Sequence, residues 1–128
     1  MKKIMLFRMA AVIIFSALSF GCFAQNAPQQ KINIINFHVV KNQNKVDINW
    51  STEKDASTNY FEVEKSNDGK NFKTVAMVMG PDPSKTDCDC YGCFDKVTTQ
   101  SKESYYRLKH VDSNGIVQFS DVKMIALK

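Results

Sequence analysis

Hydrophobic and polar residues alternate along most of the chain after residue 30, which is the pattern of half-buried β-strands. In the clearest example, Val46, Ile48 and Trp50 alternate with Asp47 and Asn49. Patterns of this kind predict seven strands, over residues 31–40, 46–50, 60–66, 72–79, 91–97, 104–111 and 117–126. No segment carries a convincing 3.6-residue apolar period. We therefore predict an all-β fold in which seven antiparallel strands pack as a two-sheet sandwich.

Turn residues separate these strands. The segment Asp112–Gly115 joins the last two, and Gly115 can adopt the positive φ that such a turn needs. The pair Asp68-Gly69 predicts a hairpin between the third and fourth strands. A slip of the apolar phase between Ile34 and Ile35 predicts a bulge or kink in the first strand.

The alternation also assigns faces to the side chains. Trp50, the sole tryptophan, is predicted to be a central core residue. Phe61 and Val63 should point inward from the third strand. Glu62 and Glu64 should then occupy its solvated face, which is a simpler explanation than a catalytic carboxylate pair.

Residues 1–24 have the order of a secretory signal peptide. Three basic residues and no acidic ones precede an apolar run over 9–20, and small residues lead to a cleavage site after Ala24. The run is shorter than the roughly 20 residues of a membrane-spanning helix. We therefore expect an extracytoplasmic protein in the periplasm, on the cell surface or in the medium. The alternative is a lipid anchor on Cys22, although bulky Phe20 does not fit a lipoprotein cleavage site.

The charge of the processed chain argues against a nucleic-acid partner. The leader holds three of the 17 basic residues and none of the 13 acidic ones, so the remainder has a net charge of only +1. A near-neutral domain lacks the basic patch that nucleic acid requires. Residues 25–30 form a polar, flexible lead-in, and 31–128 are the length of one domain.

Several strand segments, taken together, resemble a fibronectin type III-like domain of secreted bacterial proteins, the kind often found upstream of a C-terminal secretion sorting domain. The matching segments are Val46–Thr52, Asn59–Ser66, Asp68–Phe72 and Tyr105–Asp112, followed by Gly115 and Phe119-Ser120. The resemblance implies an immunoglobulin-like sandwich whose motifs are structural and not catalytic. A sorting domain would follow the last strand in that family, and this sequence stops at Lys128, so that export route is not expected.

The same resemblance predicts where a partner would bind. The loops at 52–59, 80–90 and 112–115 should share one end of the sandwich, and domains of this type usually bind through such an end. We refer to these three loops as the loop end.

Three cysteines stand close together in the segment Asp87–Cys93, at positions 88, 90 and 93. Export favours a disulfide, and three thiols leave one over. In an extended strand Cys90 and Cys93 would be about 10 Å apart, beyond the roughly 7 Å that a bridge permits. We therefore expect either a turn at Gly92 that closes Cys90–Cys93 or Cys88–Cys93, or no bridge within the segment. The family register would instead point Tyr91 and Cys93 inward.

A metal site is the sharper alternative for these residues. The thiolates of Cys88, Cys90 and Cys93, joined by His110, would suit zinc or copper(I). Zinc sites usually have paired C-x-x-C motifs or a defined pair of histidines, and neither occurs in the sequence. His38 and His110 each stand alone, so structural roles are expected for both.

The sequence contains no Gly-rich phosphate loop, nucleophile elbow or H-E-x-x-H motif, so we predict no enzyme activity, no catalytic residues and no cofactor. We predict an exported, non-catalytic module for binding, adhesion or an envelope-structural role. It would contact a protein or a carbohydrate through the loop end, and a membrane only if Cys22 carries lipid. The alternative is a small extracytoplasmic metal- or redox-handling protein that uses Cys88, Cys90 and Cys93.

Overall fold

A computed structural model describes residues 32–53, 57–97 and 101–128. In these ranges the chain forms strands and no helix, so the all-β prediction is confirmed. Every strand pair is antiparallel. There are eight strands where the sequence predicted seven: β1 (Ile34–Asn42), β2 (Lys45–Thr52), β3 (Tyr60–Ser66), β4 (Lys73–Val78), β5 (Asp89–Lys96), β6 (Glu103–Val111), β7 (Val117–Phe119) and β8 (Lys123–Ala126).

The leader, the lead-in and Cys22 lie outside the described residues. The described residues include no helix with the length and apolarity of a membrane span.

The strands form two sheets that share one core. One sheet has the order β1-β2-β5, and the other has the order β4-β3-β6-β7, with β8 also paired to β6. At the centre of the core, Trp50 stacks on Tyr91 with ring centroids 5.6 Å apart, and Phe61 from the other sheet packs edge-on against both rings. Trp50, Phe61 and Val63 are all buried, as predicted from the alternation.

The extra strand arises because the predicted strand 117–126 is interrupted at Ser120. Both β7 and β8 pair with β6, but their registers differ by one residue. Between them, the Ser120 hydroxyl accepts a hydrogen bond from the Leu108 N–H at 2.8 Å, and the Ser120 N–H donates to the Leu108 carbonyl at 2.9 Å. The Ser120 hydroxyl thus takes the place of a backbone carbonyl as the acceptor for Leu108. The regular backbone hydrogen bonding along β6 therefore stops after β7 and resumes at β8.

The predicted backbone irregularities are present. The register of β1 against β2 shifts between Ile35 and His38, close to the predicted phase slip, and Asn36 in the bulge has a φ of 55°. Asparagine is one of the few residues that tolerate this left-handed conformation. Gly69 and Gly115 have φ values of 72° and 79°, as their turns require.

Glu62 and Glu64 point away from the core as expected, but they are not freely solvated. Glu64 is only 9% exposed, and its carboxylate accepts a hydrogen bond from the neighbouring Arg107 at 2.6 Å. Glu62 pairs with Lys109 at 3.2 Å. The alternation correctly gave the direction of these side chains, whereas their cross-strand partners depend on the β3–β6 register.

A polar cluster closes the core at the end opposite the loop end. Asp95 accepts hydrogen bonds from Lys65 at 2.7 Å and from the Tyr106 hydroxyl at 2.9 Å. Burial and the bond to Asp95 raise the pKa of Tyr106, so the phenol stays protonated and remains a donor. The cluster joins the two sheets, because Asp95 is on β5 and its partners are on β3 and β6.

Candidate functional site

The strand connections place the three loops at the same end of the molecule. In antiparallel sheets, the end of β2, the end of β4 and the end of β6 lie on one side, together with the starts of β3, β5 and β7. The connections 53–59, 79–88 and 112–116 therefore share the loop end, as the resemblance implied. Residues 54–56 of the first loop lie outside the described part of the chain. A hydrogen bond of 2.6 Å between the hydroxyls of Ser57 and Ser113 links the first loop to the third.

The β6–β7 turn is held by Asp112. Its carboxylate accepts hydrogen bonds from the N–H groups of Asn114 and Ile116, both at 2.8 Å. Its carbonyl accepts the N–H of Gly115 at 3.0 Å. This part of the loop end therefore has a defined backbone shape.

The β4–β5 loop folds back towards the start of β5. The N–H of Asp82 donates to the carbonyl of Cys90 at 2.6 Å, and the N–H of Lys85 donates to the carbonyl of Asp82 at 3.1 Å. The Asp82 carboxylate accepts both the N–H and the hydroxyl of Ser84, at 2.9 and 2.7 Å. These hydrogen bonds lower the pKa of Asp82, so its carboxylate is ionised at neutral pH.

A cleft of about 690 Å³ lies between this loop and the first sheet. This volume falls within the range of small-molecule binding sites. The loop supplies residues 80–83 and 85 as one wall. Val78 at the end of β4 and residues of β1, β2 and β5 line the rest, including His38, Asn49 and Gly92. We refer to this feature as the loop-side cleft.

Strand register brings three of its lining residues into a row. His38 on β1 is opposite Asn49 on β2, and Asn49 is opposite Gly92 on β5. All three are exposed on the outer face of the sheet. A Cβ atom added at Gly92 would lie 2.7 Å from the Oδ1 atom of Asn49, so the amide of Asn49 lies over this glycine.

Sequence reasoning missed this row. The sequence predicts a structural role for His38 and makes Asn49 a polar position of the second strand, where it also begins an Asn-Trp-Ser glycosylation sequon that its place in a core strand argues against. The alternation of β2 does predict that Asn49 points away from Trp50. The residues opposite it, however, are set by pairings with strands far away in the sequence.

The cysteine prediction was wrong in its geometry. Cys88 and Cys90 form the disulfide, with Cα atoms 5.3 Å apart. Gly92 makes no turn, since it lies within β5 opposite Asn49. Residues two apart in an extended strand are only about 6.6 Å apart, which is already within reach of a disulfide. A disulfide is present in the segment as expected, but it joins the one pair of the three that the argument from strand length set aside.

Cys93 is the remaining thiol of this segment. It is half-buried and packs against the core together with buried Tyr91, in agreement with the inward direction implied by the family register. Burial raises the pKa of the Cys93 thiol to about 11, and the nearby Asp95 adds to the shift. At neutral pH the group is therefore a protonated thiol, which is a poor nucleophile and a poor metal ligand.

His110 lies on β6, in the sheet opposite the one that contains β5 and its cysteines. It is 2% exposed on β6, its ring packs against Phe61 at 5.0 Å, and its Nε2 atom lies 3.1 Å from the Thr58 hydroxyl. Burial lowers the pKa of His110, which favours the neutral ring. Among the residues that the structure describes, no group of three or more His, Cys, Asp or Glu side chains is placed to hold a metal ion.

Comparison with known proteins finds solved structures of similar fold and gives no family. No protein-family model matches the chain, and no curated protein sequence matches it. Solved structures do match. Pectate lyase Pel3 from Pectobacterium carotovorum has a TM-score of 0.57 at 18% identity, over 74% of this chain and 27% of that chain.

Two further structures give the same result. Pectate lyase PelI from Erwinia chrysanthemi, in complex with tetragalacturonic acid, has a TM-score of 0.52 at 13% identity, over 72% of this chain and 27% of that chain. The β-1,2-glucanase from Parabacteroides distasonis has a TM-score of 0.53 at 18% identity, over 76% of this chain and 13% of that chain. At these identities the matches show a shared fold and nothing about activity. This chain spans about a quarter or less of the length of each of these proteins.

Proposed function

We propose that this chain is an exported, non-catalytic module of the fibronectin type III-like class, which acts by contact at its loop end. The observation that carries the proposal is the loop-side cleft, a concave surface next to the β4–β5 loop at the end where three loops meet. Ligand sites are typically concave, and loops on a rigid scaffold often supply them.

The architecture supports an immunoglobulin-like sandwich as the specific fold. Two antiparallel sheets bury their inner faces against each other, with a tryptophan at the centre of the core. Strands β7 and β8 both pair with the edge of β6 that faces away from β3. They are therefore equivalent to one interrupted strand. With that interruption counted as a single strand, the arrangement has the seven strands of the class.

The chemistry of the cleft supports binding over catalysis. Its polar groups are side-chain amides, the imidazole of His38, and the charged pair Asp82 and Lys85. The carboxylate of Asp82 is engaged by Ser84. This contact between the Ser84 hydroxyl and the Asp82 carboxylate joins residues two apart in the β4–β5 loop, and Ser84 is not among the residues that line the cleft.

A carbohydrate is the ligand class that we favour over a protein. Domains of this fold form part of two pectate lyases and a β-1,2-glucanase. One of the two pectate lyases, PelI, was crystallised with tetragalacturonic acid. A module of this type in such a protein could hold the ligand while another domain acts on it. The small net charge of the processed chain supports neither nucleic acid nor, in the absence of lipid on Cys22, a membrane as partner.

Binding can be tested with the full chain, expressed with its leader and purified as processed. Arrays of glycans and of envelope proteins should give a saturable signal for at least one ligand. The double variant Pro81→Gly/Lys85→Ala in the loop wall should weaken it, while Lys70→Ala at the opposite end should not. Turnover of a bound carbohydrate, or blank arrays with folded protein, would contradict the proposal. Zinc or copper in a native mass spectrum would favour metal handling instead.

Export can be tested on the same sample. Cleavage after Ala24 should give a processed chain that begins at Gln25. An acylated Cys22 at the N-terminus would indicate lipid anchoring, and an intact leader in cytoplasmic protein would contradict export. Intact mass and N-terminal sequencing distinguish these three results.

A further inference from the structure

We propose that the loop-side cleft binds a neutral oligosaccharide, with the row of His38, Asn49 and Gly92 as its floor and the β4–β5 loop as its wall. This inference rests on the proposed function, because it assumes that the chain acts by contact. It goes further by assigning the floor residues and the charge of the ligand.

The floor offers hydrogen-bonding groups that the protein itself does not use. His38 and Asn49 are exposed on the outer face of the sheet and are adjacent in register. Throughout the described residues, neither side chain makes a hydrogen bond to another protein group. An amide both donates and accepts, and an imidazole offers two ring nitrogens for hydrogen bonds. Sugar hydroxyls also combine both roles, so adjacent hydroxyls could pair with this row.

Gly92 makes the floor accessible. Every other outward position of β5 carries a side chain, whereas at Gly92 the strand presents only backbone beside the Asn49 amide. A Cβ at this position would come within 2.7 Å of Asn49 Oδ1 and would displace the amide. The glycine therefore leaves room for a ligand to approach Asn49 closely, a common reason for glycine in a strand.

The charge of the cleft favours a neutral ligand. Lys85 and Asp82 are its charged lining residues within the described chain, and they have opposite signs. The low pKa of Asp82 keeps its negative charge in place at neutral pH. An acidic polysaccharide usually meets an excess of basic groups, which this lining lacks.

The position of the floor favours a sugar over a peptide. An extended peptide gains most of its affinity when it pairs with the free backbone edge of a sheet. The floor centres on Asn49, which lies on β2, the central strand of the first sheet, where the backbone pairs with β1 and β5. A ligand at this position must therefore be recognised by side chains. The hydroxyl groups of a sugar can form hydrogen bonds with such side chains.

The test compares the affinity of the cleft for neutral and for acidic oligosaccharides. The processed full chain is titrated with cellohexaose and laminarihexaose as neutral probes, and with hexagalacturonate as an acidic probe. Calorimetry of these titrations measures each affinity. We expect at least one neutral probe to bind more tightly than the acidic probe.

The variants Asn49→Ala and Gly92→Ala should each weaken that binding by about fivefold or more, which corresponds to the loss of about one hydrogen bond. Asn67→Ala is the matched control, because Asn67 is an exposed asparagine in the β3–β4 turn at the opposite end. It should leave the affinity unchanged. Thermal unfolding of all three variants verifies that they fold.

The outcomes separate this inference from the proposed function. A glycan that binds equally to wild type, Asn49→Ala and Gly92→Ala would overturn the assignment of the floor but leave the contact function standing. Preference for the acidic probe, or no binding of any probe, would overturn the neutral-sugar assignment. A protein ligand that is lost in Asn49→Ala would support the contact function and overturn the sugar. If neither arrays nor probes give binding, both proposals fail.

Discussion

Replacing Phe61 is the most direct test of how the two sheets are held together. The side chain is fully buried on β3 and contacts three other rings: Trp50 at 5.3 Å, Tyr91 at 4.9 Å and His110 at 5.0 Å. Trp50 and Tyr91 belong to the opposite sheet, so Phe61 is the point where the aromatic groups of both sheets meet.

The expected cost follows from burial and from these ring contacts. Truncation of a buried phenylalanine to alanine costs roughly 3–5 kcal/mol. Since a domain of this size is stable by about 5–15 kcal/mol, Phe61→Ala removes a large share of the total. For a domain of about 100 residues, each kcal/mol lowers Tm by roughly 4–8 °C, so a fall of about 12 °C or more is expected.

A milder variant guards against complete unfolding. Phe61→Leu keeps most of the apolar volume but loses the edge-to-face contacts, so it should cost about 1–2 kcal/mol. Phe94→Ala is the matched control, because Phe94 lies on the outer face of β5 and is 59% exposed. Its removal should change stability by no more than about 0.5 kcal/mol.

The assay is urea unfolding of the processed chain, followed both by far-ultraviolet circular dichroism and by the emission of Trp50. Wild type should show a blue-shifted emission that moves to the red as the sheets separate, in the same transition as the loss of strand signal. If Phe61→Leu and Phe94→Ala lower the unfolding midpoint equally, the two sheets do not meet at this aromatic cluster and the reasoning fails.

Two further predictions concern titratable groups. The pKa of buried His110 is lower in the folded chain than in the unfolded chain, so the unfolded state binds more protons below about pH 6.5. Stability should therefore be fully present above that pH and fall towards pH 5 in urea unfolding. His110→Gln should reduce this pH dependence, and an unchanged dependence in that variant would contradict the burial of His110. With a pKa of about 11, the Cys93 thiol should resist iodoacetamide at pH 8 until urea is added. Cys88 and Cys90 form a disulfide, so they should react only after reduction. Peptide mass mapping measures the labelling of each cysteine. Rapid labelling of Cys93 in native protein would show that it is accessible and would refute its placement.

The sequence by itself determined the features that depend on near neighbours in the chain. Alternation fixed the strands and their inward faces, which is why Trp50 and Phe61 are buried as predicted. The turn at Gly115 and the hairpin at Gly69 follow from the local need for positive φ. These properties are set within a few residues, so a local pattern is enough to predict them.

The tertiary structure decided the features that depend on which strands become neighbours. Ser120 splits the last strand because Leu108 of β6 lies opposite it. Burial beside Phe61 of the neighbouring strand β3 lowers the pKa of His110. The row on the floor of the cleft exists because β1 and β5 both pair with β2 at Asn49. Register joins residues that are far apart in sequence, and one residue of slip would turn each of these side chains to the other face.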